Sequence, residues 1–131
     1  MDTIFSLDMT GAIRLIVALE IVALYLFLCS KLTKYNELEA IARGKVAAAI
    51  SFAGDAVGIA IPLLAAMLMK LGFVDFLVWS AVAGGVQLTV MKIIDYAIPG
   101  ELEEENVAAA IFFAAGAIVT GLLNAGAIVY L

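Results

Sequence analysis

The pentapeptide Val-Ala-Ala-Ala-Ile occurs at Val46–Ile50 and again at Val107–Ile111, and each copy opens a long apolar stretch. The two copies lie 61 positions apart (107 minus 46), and the same shift aligns Lys31 with Lys92. Self-similarity at a fixed distance is the sign of a repeated structural unit. The sequence therefore predicts two similar hairpins, each made of two hydrophobic helices.

The composition is that of a membrane protein. Of the 131 residues, 66% are hydrophobic and 15% are charged, and the mean hydropathy is +1.16. Soluble domains are roughly half apolar, so this excess indicates a chain that is surrounded by the lipid bilayer. The formal net charge of −5 argues against a nucleic-acid partner, because phosphate binding needs clustered lysine and arginine.

Four stretches are long and apolar enough to cross a bilayer, which takes about 20 residues of helix. They lie near Gly11–Ser30, Val46–Leu71, Phe73–Ile94 and Val107–Leu131. The prediction is an all-α membrane protein, a single domain over residues 1–131, with four transmembrane helices formed by a duplicated two-helix hairpin. Repeat one covers about residues 10–71 and repeat two about residues 72–131. Because each repeat holds two spans, both insert in the same direction, as a parallel repeat.

The charges of the loops predict the orientation. The segments Lys31–Lys45 and Asp95–Asn106 share one side of the membrane. That side holds five of the seven lysines and arginines: Lys31, Lys34, Arg43, Lys45 and Lys92. The other side holds both termini and Lys70–Gly72, and its positive residues are Arg14 and Lys70. Positive residues in short loops mark the cytoplasmic side. We therefore expect both termini outside and both longer loops in the cytoplasm.

Local signals in the loops predict a few boundaries. Asn36 is placed to cap a short helix that continues through Arg43, and Gly44 can supply the left-handed stop. Pro99–Gly100 predicts a turn, and Asn106 is placed to cap the fourth span.

Two sets of residues carry a family resemblance. The first set is Ser30, Lys31, Thr33, Asn36, Glu37, Gly54, Gly58 and Pro62. The second set is Asn106, Ala108, Ala109, Gly121 and Asn124. Together they resemble the YjfL-type bacterial inner-membrane family, a small four-span family of unknown function, over nearly the whole chain.

The resemblance implies a location in the bacterial inner membrane and no assigned reaction. Members of the family are encoded beside phage-shock-type peripheral membrane proteins and ATP-grasp ligase-like proteins. The resemblance therefore implies a role in envelope stress or membrane maintenance, with a cytoplasmic membrane-stress protein as a partner.

Two acids lie inside the predicted spans. Glu20 is ten residues before Ser30 and Asp55 is nine residues after Val46, which places both roughly 14–15 Å from the cytoplasmic ends. Ionisable groups at this depth are costly, and each is a functional hypothesis by default. The pair predicts a proton-sharing or cation site. The alternative is two protonated acids, hydrogen-bonded to the backbone or to each other.

A second polar layer is expected near the outer face. Arg14 and Asp75 are again 61 positions apart, and Asn124 falls at a comparable height in the fourth span. These residues predict a polar contact between the two repeats. The alternative is that Arg14 extends to the interface and that Asp75 simply lies there.

Small residues indicate where helices approach closely. Gly54 and Gly58 form a GxxxG step, and Gly85 and Gly121 each follow an alanine by four residues. This spacing serves contacts within one chain and contacts between copies, so a homo-oligomer is also expected. Pro62 cannot donate to the carbonyl of Gly58, which predicts a kink that either aids packing or frees a carbonyl for a cation.

The sequence offers little for catalysis. It contains no histidine, a single cysteine, and no Ser/His/Asp constellation, metal-ligand cluster or phosphate-binding glycine loop. We expect no metal, no cofactor and no enzymatic activity. The first prediction is a self-associating, non-enzymatic component of envelope maintenance or stress response. The alternative is a small proton- or cation-conducting unit that uses Glu20 and Asp55.

Overall fold

The computed structural model of the chain describes residues 2–32, 37–97 and 106–130, and for residues 2–10 and 32 it describes the helical backbone alone. Within these ranges the helices are α1 (Asp2–Leu32), α2 (Glu37–Ala42), α3 (Val46–Leu68), α4 (Phe73–Ala97) and α5 (Val107–Val129). No strand occurs in the described ranges. The fold is all-α, as the sequence predicts.

Four of the helices contain stretches long and apolar enough to cross a membrane. These stretches are Gly11–Lys31, Val46–Leu68, Phe73–Ala97 and Val107–Val129. Each begins at the predicted residue and ends within about three residues of the predicted end. The chain is therefore a multi-span membrane protein, and the prediction of four spans is confirmed.

Two of the predicted boundary signals are present in the structure. The Asn106 side chain caps α5 by accepting a hydrogen bond from the backbone N–H of Ala109 at 3.1 Å. Gly44 follows α2 with a φ of 83°, a left-handed conformation that a glycine adopts without steric cost. Asn36 and Pro99–Gly100 lie outside the described residues.

Helices α3 and α5 form the most closely packed pair. Gly54 faces Ala114, Gly58 faces Ala117, and Gly121 lies against the carbonyl of Gly58. The contacts advance along both helices in the same direction, so α3 and α5 run parallel. A methyl group added at any of these three glycines would overlap atoms of a neighbouring helix. The absence of side chains is what allows this approach.

Helix α4 packs antiparallel to α5 and is joined to it by side-chain hydrogen bonds. Nε2 of Gln87 donates to the carbonyl of Ala117 at 2.7 Å. Nδ2 of Asn124 donates to the carbonyl of Ala83 at 3.3 Å. Because later residues of α4 meet earlier residues of α5, the two helices run in opposite directions.

Apolar residues fill the interior at two depths. We call the membrane side that contains Lys70–Gly72 the turn side, and the opposite side, where α2 lies, the loop side. The turn-side apolar layer consists of Ile59, Leu63, Phe76 and Ile128. On the loop side, a smaller group consists of Ala47, Ala110 and Phe113. Helix α1 packs mainly against α3 and leaves most of its other surface exposed.

Two residues expected to shape the helices have different surroundings. Gly85 lies on an outward face of α4, and no atom of the chain comes within 4 Å of where its Cβ would be. Gly85 therefore takes no part in packing between the described helices. Pro62 is buried in α3, which continues from Val46 to Leu68, and the kink predicted at this proline stays a prediction.

Candidate functional site

Asp55 is the most unusual side chain in the structure. It lies in the middle of α3 and is 0% exposed. Neither Oδ1 nor Oδ2 has a hydrogen-bond partner among the described residues. A buried carboxylate that nothing compensates is strongly unfavourable, so this group must carry a proton or meet a cation. Either role makes Asp55 a candidate binding group.

Four buried polar side chains accompany Asp55. Glu37 of α2 and both Tyr25 and Cys29 of α1 interact with it electrostatically. Ser51 lies one turn before Asp55 on the same face of α3, and its hydroxyl has no hydrogen-bond partner in the described structure. We call these five residues the Asp55 cluster. Three helices contribute to it.

Helical periodicity explains how these residues come to share one location. Tyr25 and Cys29 are four residues apart in α1, and Ser51 and Asp55 are four apart in α3, so each pair occupies one face of its helix. Helix α2 packs on α3 and begins with Glu37, which is 4% exposed. The cluster therefore forms where the inner faces of α1, α2 and α3 meet.

Glu20 is not part of this cluster. Its side chain is exposed on α1, and the acid that interacts with Asp55 is Glu37. The buried line of α1 runs through Ala18 and Tyr25, and Glu20, two residues after Ala18, lies about 200° further round the helix. Equal depth in the membrane does not determine which way a side chain faces. The predicted Glu20–Asp55 pair is corrected to a Glu37–Asp55 pair.

The predicted layer of Arg14, Asp75 and Asn124 is not assembled in the described part of the chain. The guanidinium of Arg14 lies over the ring of Phe76, with Cζ 5.6 Å from the ring centroid. Asp75 is exposed at the start of α4, whereas the next residue, Phe76, faces the interior. Asn124 donates its hydrogen bond to Ala83 of α4. The ring of Phe76 takes the place predicted for the Asp75 carboxylate.

Sequence reasoning found Asp55 and missed its companions. The spacing of four residues before Asp55 could have drawn attention to Ser51. Glu37 gave no such signal, because α2 has six residues and is too short to show a buried face in its sequence. The contribution of Tyr25 depends on the rotation of α1, which a helix apolar on nearly every side does not reveal.

The donor set of the Asp55 cluster limits what it can bind. No group of three or more His, Cys, Asp or Glu side chains within residues 2–32, 37–97 and 106–130 is placed to hold a metal ion. The cluster offers two carboxyl groups, two hydroxyls and a thiol. Such a set can hold a proton between oxygens, or can share its oxygens with a small monovalent cation.

Comparisons with known proteins identify the family of the chain. The family described as Domain of Unknown Function (DUF350) matches residues 5–128. The chain belongs to this family. The UPF0719 inner membrane protein YjfL of Escherichia coli strain K12 is 30% identical to it over 112 residues, which cover 83% of this chain and 85% of that protein. YjfL of E. coli O157:H7 matches to the same extent. No solved structure matches the chain. The family resemblance drawn from the sequence is confirmed.

The DUF350 match includes every residue of the Asp55 cluster, because it covers residues 5–128. The description of the DUF350 family states no activity. The chemistry of this DUF350 member must therefore be argued from its own buried groups.

Proposed function

We propose that this DUF350 protein is a bacterial inner-membrane protein that binds a proton or a small monovalent cation at Asp55 and carries it across the membrane. One observation carries the proposal: a fully buried carboxyl, with no hydrogen-bond partner in the described structure, within the span Val46–Leu68. The inner-membrane location rests on the YjfL relatives, which are named as inner membrane proteins.

The charge of the Asp55 cluster supports a singly charged ligand. Asp55 and Glu37 are both acidic, so an anion would be repelled. Divalent calcium takes six to eight oxygen ligands and magnesium near-octahedral geometry, which is more than two carboxyl groups and two hydroxyls readily supply. The single positive charge of a proton or a monovalent cation is balanced by one carboxylate, that of Asp55.

The test is proton and monovalent-cation flux in proteoliposomes, comparing the native protein with Asp55→Asn. Asparagine keeps the volume of the side chain and removes the group that ionises, so the flux should be lost while incorporation stays equal. Asp75→Asn makes the same chemical change at an exposed aspartate and serves as the matched control, with native flux expected. Native flux in Asp55→Asn would contradict the proposal.

A second proposed function is self-association, which the exposed Glu20 supports. Glu20 lies within the span Gly11–Lys31, where a carboxyl facing lipid is costly. Contact with a second copy would remove it from lipid, and the open surface at Gly85 would allow close approach. In this proposal the protein is a non-enzymatic homo-oligomer that serves envelope maintenance with a cytoplasmic membrane-stress protein, as the family resemblance implies.

Cysteine cross-linking tests this self-association. Cys29 is the single cysteine of the chain, so the Cys29→Ala variant contains no native thiol that could cross-link. In native membranes Gly85→Cys should give cross-linked dimers. Ala115→Cys, at an exposed alanine of α5, is the matched control and should give far fewer. Equal yields at both positions would indicate random collision.

The envelope role predicts lower survival under membrane-damaging stress when the gene is deleted.

We extend the proposal to the internal repeat and to the orientation. Helices α3 and α5 begin with the repeated pentapeptide and run parallel, and Gly58 contacts α5 on either side of Val119, its counterpart under the 61-residue shift. Both observations support a parallel duplicated hairpin. With the loop side in the cytoplasm, an impermeant thiol reagent applied to spheroplasts should label Lys70→Cys and spare Lys45→Cys, both in the Cys29→Ala background. The opposite pattern would invert the topology.

A further inference from the structure

The other polar side chains of the Asp55 cluster all lie on the loop side of Asp55. Asp55 is nine residues into α3, about 14 Å from the loop-side end of that helix. Ser51 lies one turn closer to that end, and Tyr25 is one to two turns from the loop-side end of α1. Glu37 lies outside the four spans, on the loop side itself. A sequence of hydroxyl and carboxyl groups therefore leads from the loop side to the middle of the membrane.

Beyond Asp55, toward the turn side, the buried face of α3 becomes apolar. Ile59 is one turn past Asp55, and Leu63 is one turn further. Phe76 and Ile128 complete this turn-side apolar layer, and each of the four side chains is 2% exposed or less. None of these four side chains carries an oxygen. The buried polar side chains of α4 are Ser80, one turn past Phe76, and Gln87, which lies against Gly58 and donates to the carbonyl of Ala117. The layer separates Asp55 from the turn side.

A positive charge beside this layer opposes the entry of protons from the turn side. Arg14 lies over the ring of Phe76, so a positive charge faces the turn-side apolar layer. Arginine next to a narrow apolar passage excludes protons and cations by electrostatic repulsion. Along the interior the two ends therefore differ: the buried acid Glu37 lies at the loop-side end, and Arg14 lies at the turn-side end.

We propose that protons enter the site from the loop side through Glu37 and pass to Asp55 by way of the hydroxyls of Ser51 and Tyr25. The proposal rests on the function proposed above. It names the proton as the transported species, Glu37 as the entry group, and the turn-side apolar layer as the barrier that must open for release.

The transfer is balanced without any further reactant. The O–H bond of a protonated Glu37 breaks and an O–H bond of Asp55 forms. The hydroxyls of Ser51 and Tyr25 do not hydrogen-bond to Asp55 in the described structure, so the transfer uses water molecules between these groups. Each hydroxyl or water gives its own proton toward Asp55 as it takes one from the side of Glu37, so it ends unchanged. Glu37 is left as a carboxylate, and water on the loop side returns its proton.

No other described acid is placed to deliver a proton to Asp55. Helix α1 directs Tyr25 and Cys29 at Asp55, α2 directs Glu37, and α5 carries no ionisable side chain. The ionisable residues of α4 are Asp75, Lys92, Asp95 and Tyr96, all near its ends. Among the residues whose side chains are described, Asp55 and Glu37 are the buried acids.

The experiment measures proton flux into proteoliposomes for the native protein, Glu37→Gln and Glu39→Gln. Glu39 lies on the same short helix but is exposed, so it is the matched control. Glu37→Gln should lower proton flux on the order of tenfold or more, because a positioned acid–base group contributes at least that much to proton transfer. Glu39→Gln should keep native flux, and Glu37→Asp should recover most of it.

Chemical rescue separates a relay from a structural role. Formate supplied on the loop side should restore proton flux to Glu37→Gln, because a small weak acid can deliver the missing proton. It should not restore flux to Asp55→Asn. Native flux in Glu37→Gln, or a loss of flux that formate does not restore, would overturn the entry route through Glu37. If Asp55→Asn still loses its flux in that case, the function proposed for Asp55 is retained. The proton relay would also be overturned if the flux depended on a sodium gradient and did not change with a pH gradient.

Discussion

Asp55 and Glu20 lie at similar depths in the membrane, yet their surroundings are opposite. Asp55 is fully buried in α3 and interacts with polar side chains of α1 and α2. Glu20 is exposed on α1, with the lipid or another protein as its neighbour. The comparison shows that depth identifies an ionisable group as costly, whereas the direction it faces decides which function it can serve.

The difference arises from how the helices are arranged. Helix α3 packs against α5, α4, α1 and α2, so about half of its residues, Asp55 among them, are buried in protein. Helix α1 packs mainly against α3 and leaves its outer face open. The same carboxyl chemistry therefore produces an internal site on α3 and a candidate contact surface on α1.

The largest expected effect comes from breaking the packing that buries Asp55. Gly58→Leu would push α3 away from α5 and from Gln87, because even a Cβ at this position overlaps their atoms. We expect a loss of about 3 kcal/mol in the free energy of unfolding, at the upper end of typical overpacking costs. Thermal unfolding in detergent measures it.

Gly85→Leu is the control for that substitution, because Gly85 faces outward with open space around it. Its unfolding temperature should stay close to that of the native protein. An equal loss of stability in both variants would mean that the close contact between α3 and α5 does not hold the bundle together.

A smaller effect, of the opposite sign, is expected when the unpartnered carboxyl is removed. Asp55→Val keeps the approximate size of the side chain and deletes two buried oxygens that have no hydrogen bond in the described structure. The variant should be more stable by about 1–3 kcal/mol, which is the usual cost of burying an unsatisfied polar group. Denaturant or thermal unfolding in detergent reports the change.

Glu20→Leu completes this comparison. Glu20 faces the detergent both in the folded monomer and after the helices separate, so the cost of its carboxyl cancels. Its replacement should therefore change the stability of the monomer by no more than about 0.5 kcal/mol. A destabilised Asp55→Val would indicate that the carboxyl has a stabilising partner and is not held in place at a cost.

The smallest expected effect distinguishes the two faces of α1. Arg14 lies over the buried ring of Phe76, whereas Lys31 lies over the exposed ring of Phe27 at 5.4 Å. Arg14→Met should therefore cost about 0.5–1 kcal/mol through the lost cation–π contact. Lys31→Met should cost less than about half of that, because water and salt weaken the exposed pair. Equal costs in unfolding experiments would contradict an inward-facing Arg14.

The architecture could be predicted from the sequence because its signals are local and strong. Long apolar runs determine the four spans to within about three residues. Asn106 marks the start of α5 through its capping side chain, and Gly44 marks the end of α2 through its left-handed backbone. The depth of Asp55 also followed from the sequence, since the rise of a helix per residue is constant.

The partners of each polar group could not be predicted in the same way. Helix α1 is apolar on nearly every side, so its sequence did not indicate that Tyr25 faces the interior and that Glu20 faces outward. The 61-residue shift predicts that Arg14 contacts Asp75. Helix α4 is rotated by one residue relative to that prediction, so it presents Phe76 to Arg14. Side-chain direction depends on how whole helices pack, and that information is not local.

The most direct test compares substitutions of the two acids that lie within the spans, Asp55 and Glu20. Proton flux should be measured in the same proteoliposome preparation for the native protein, Asp55→Asn and Glu20→Gln, at equal incorporation. The account predicts that Asp55→Asn loses the flux and that Glu20→Gln retains it. Retained flux in Asp55→Asn, or flux lost only in Glu20→Gln, would contradict the central claim that the buried acid of α3 is the functional group.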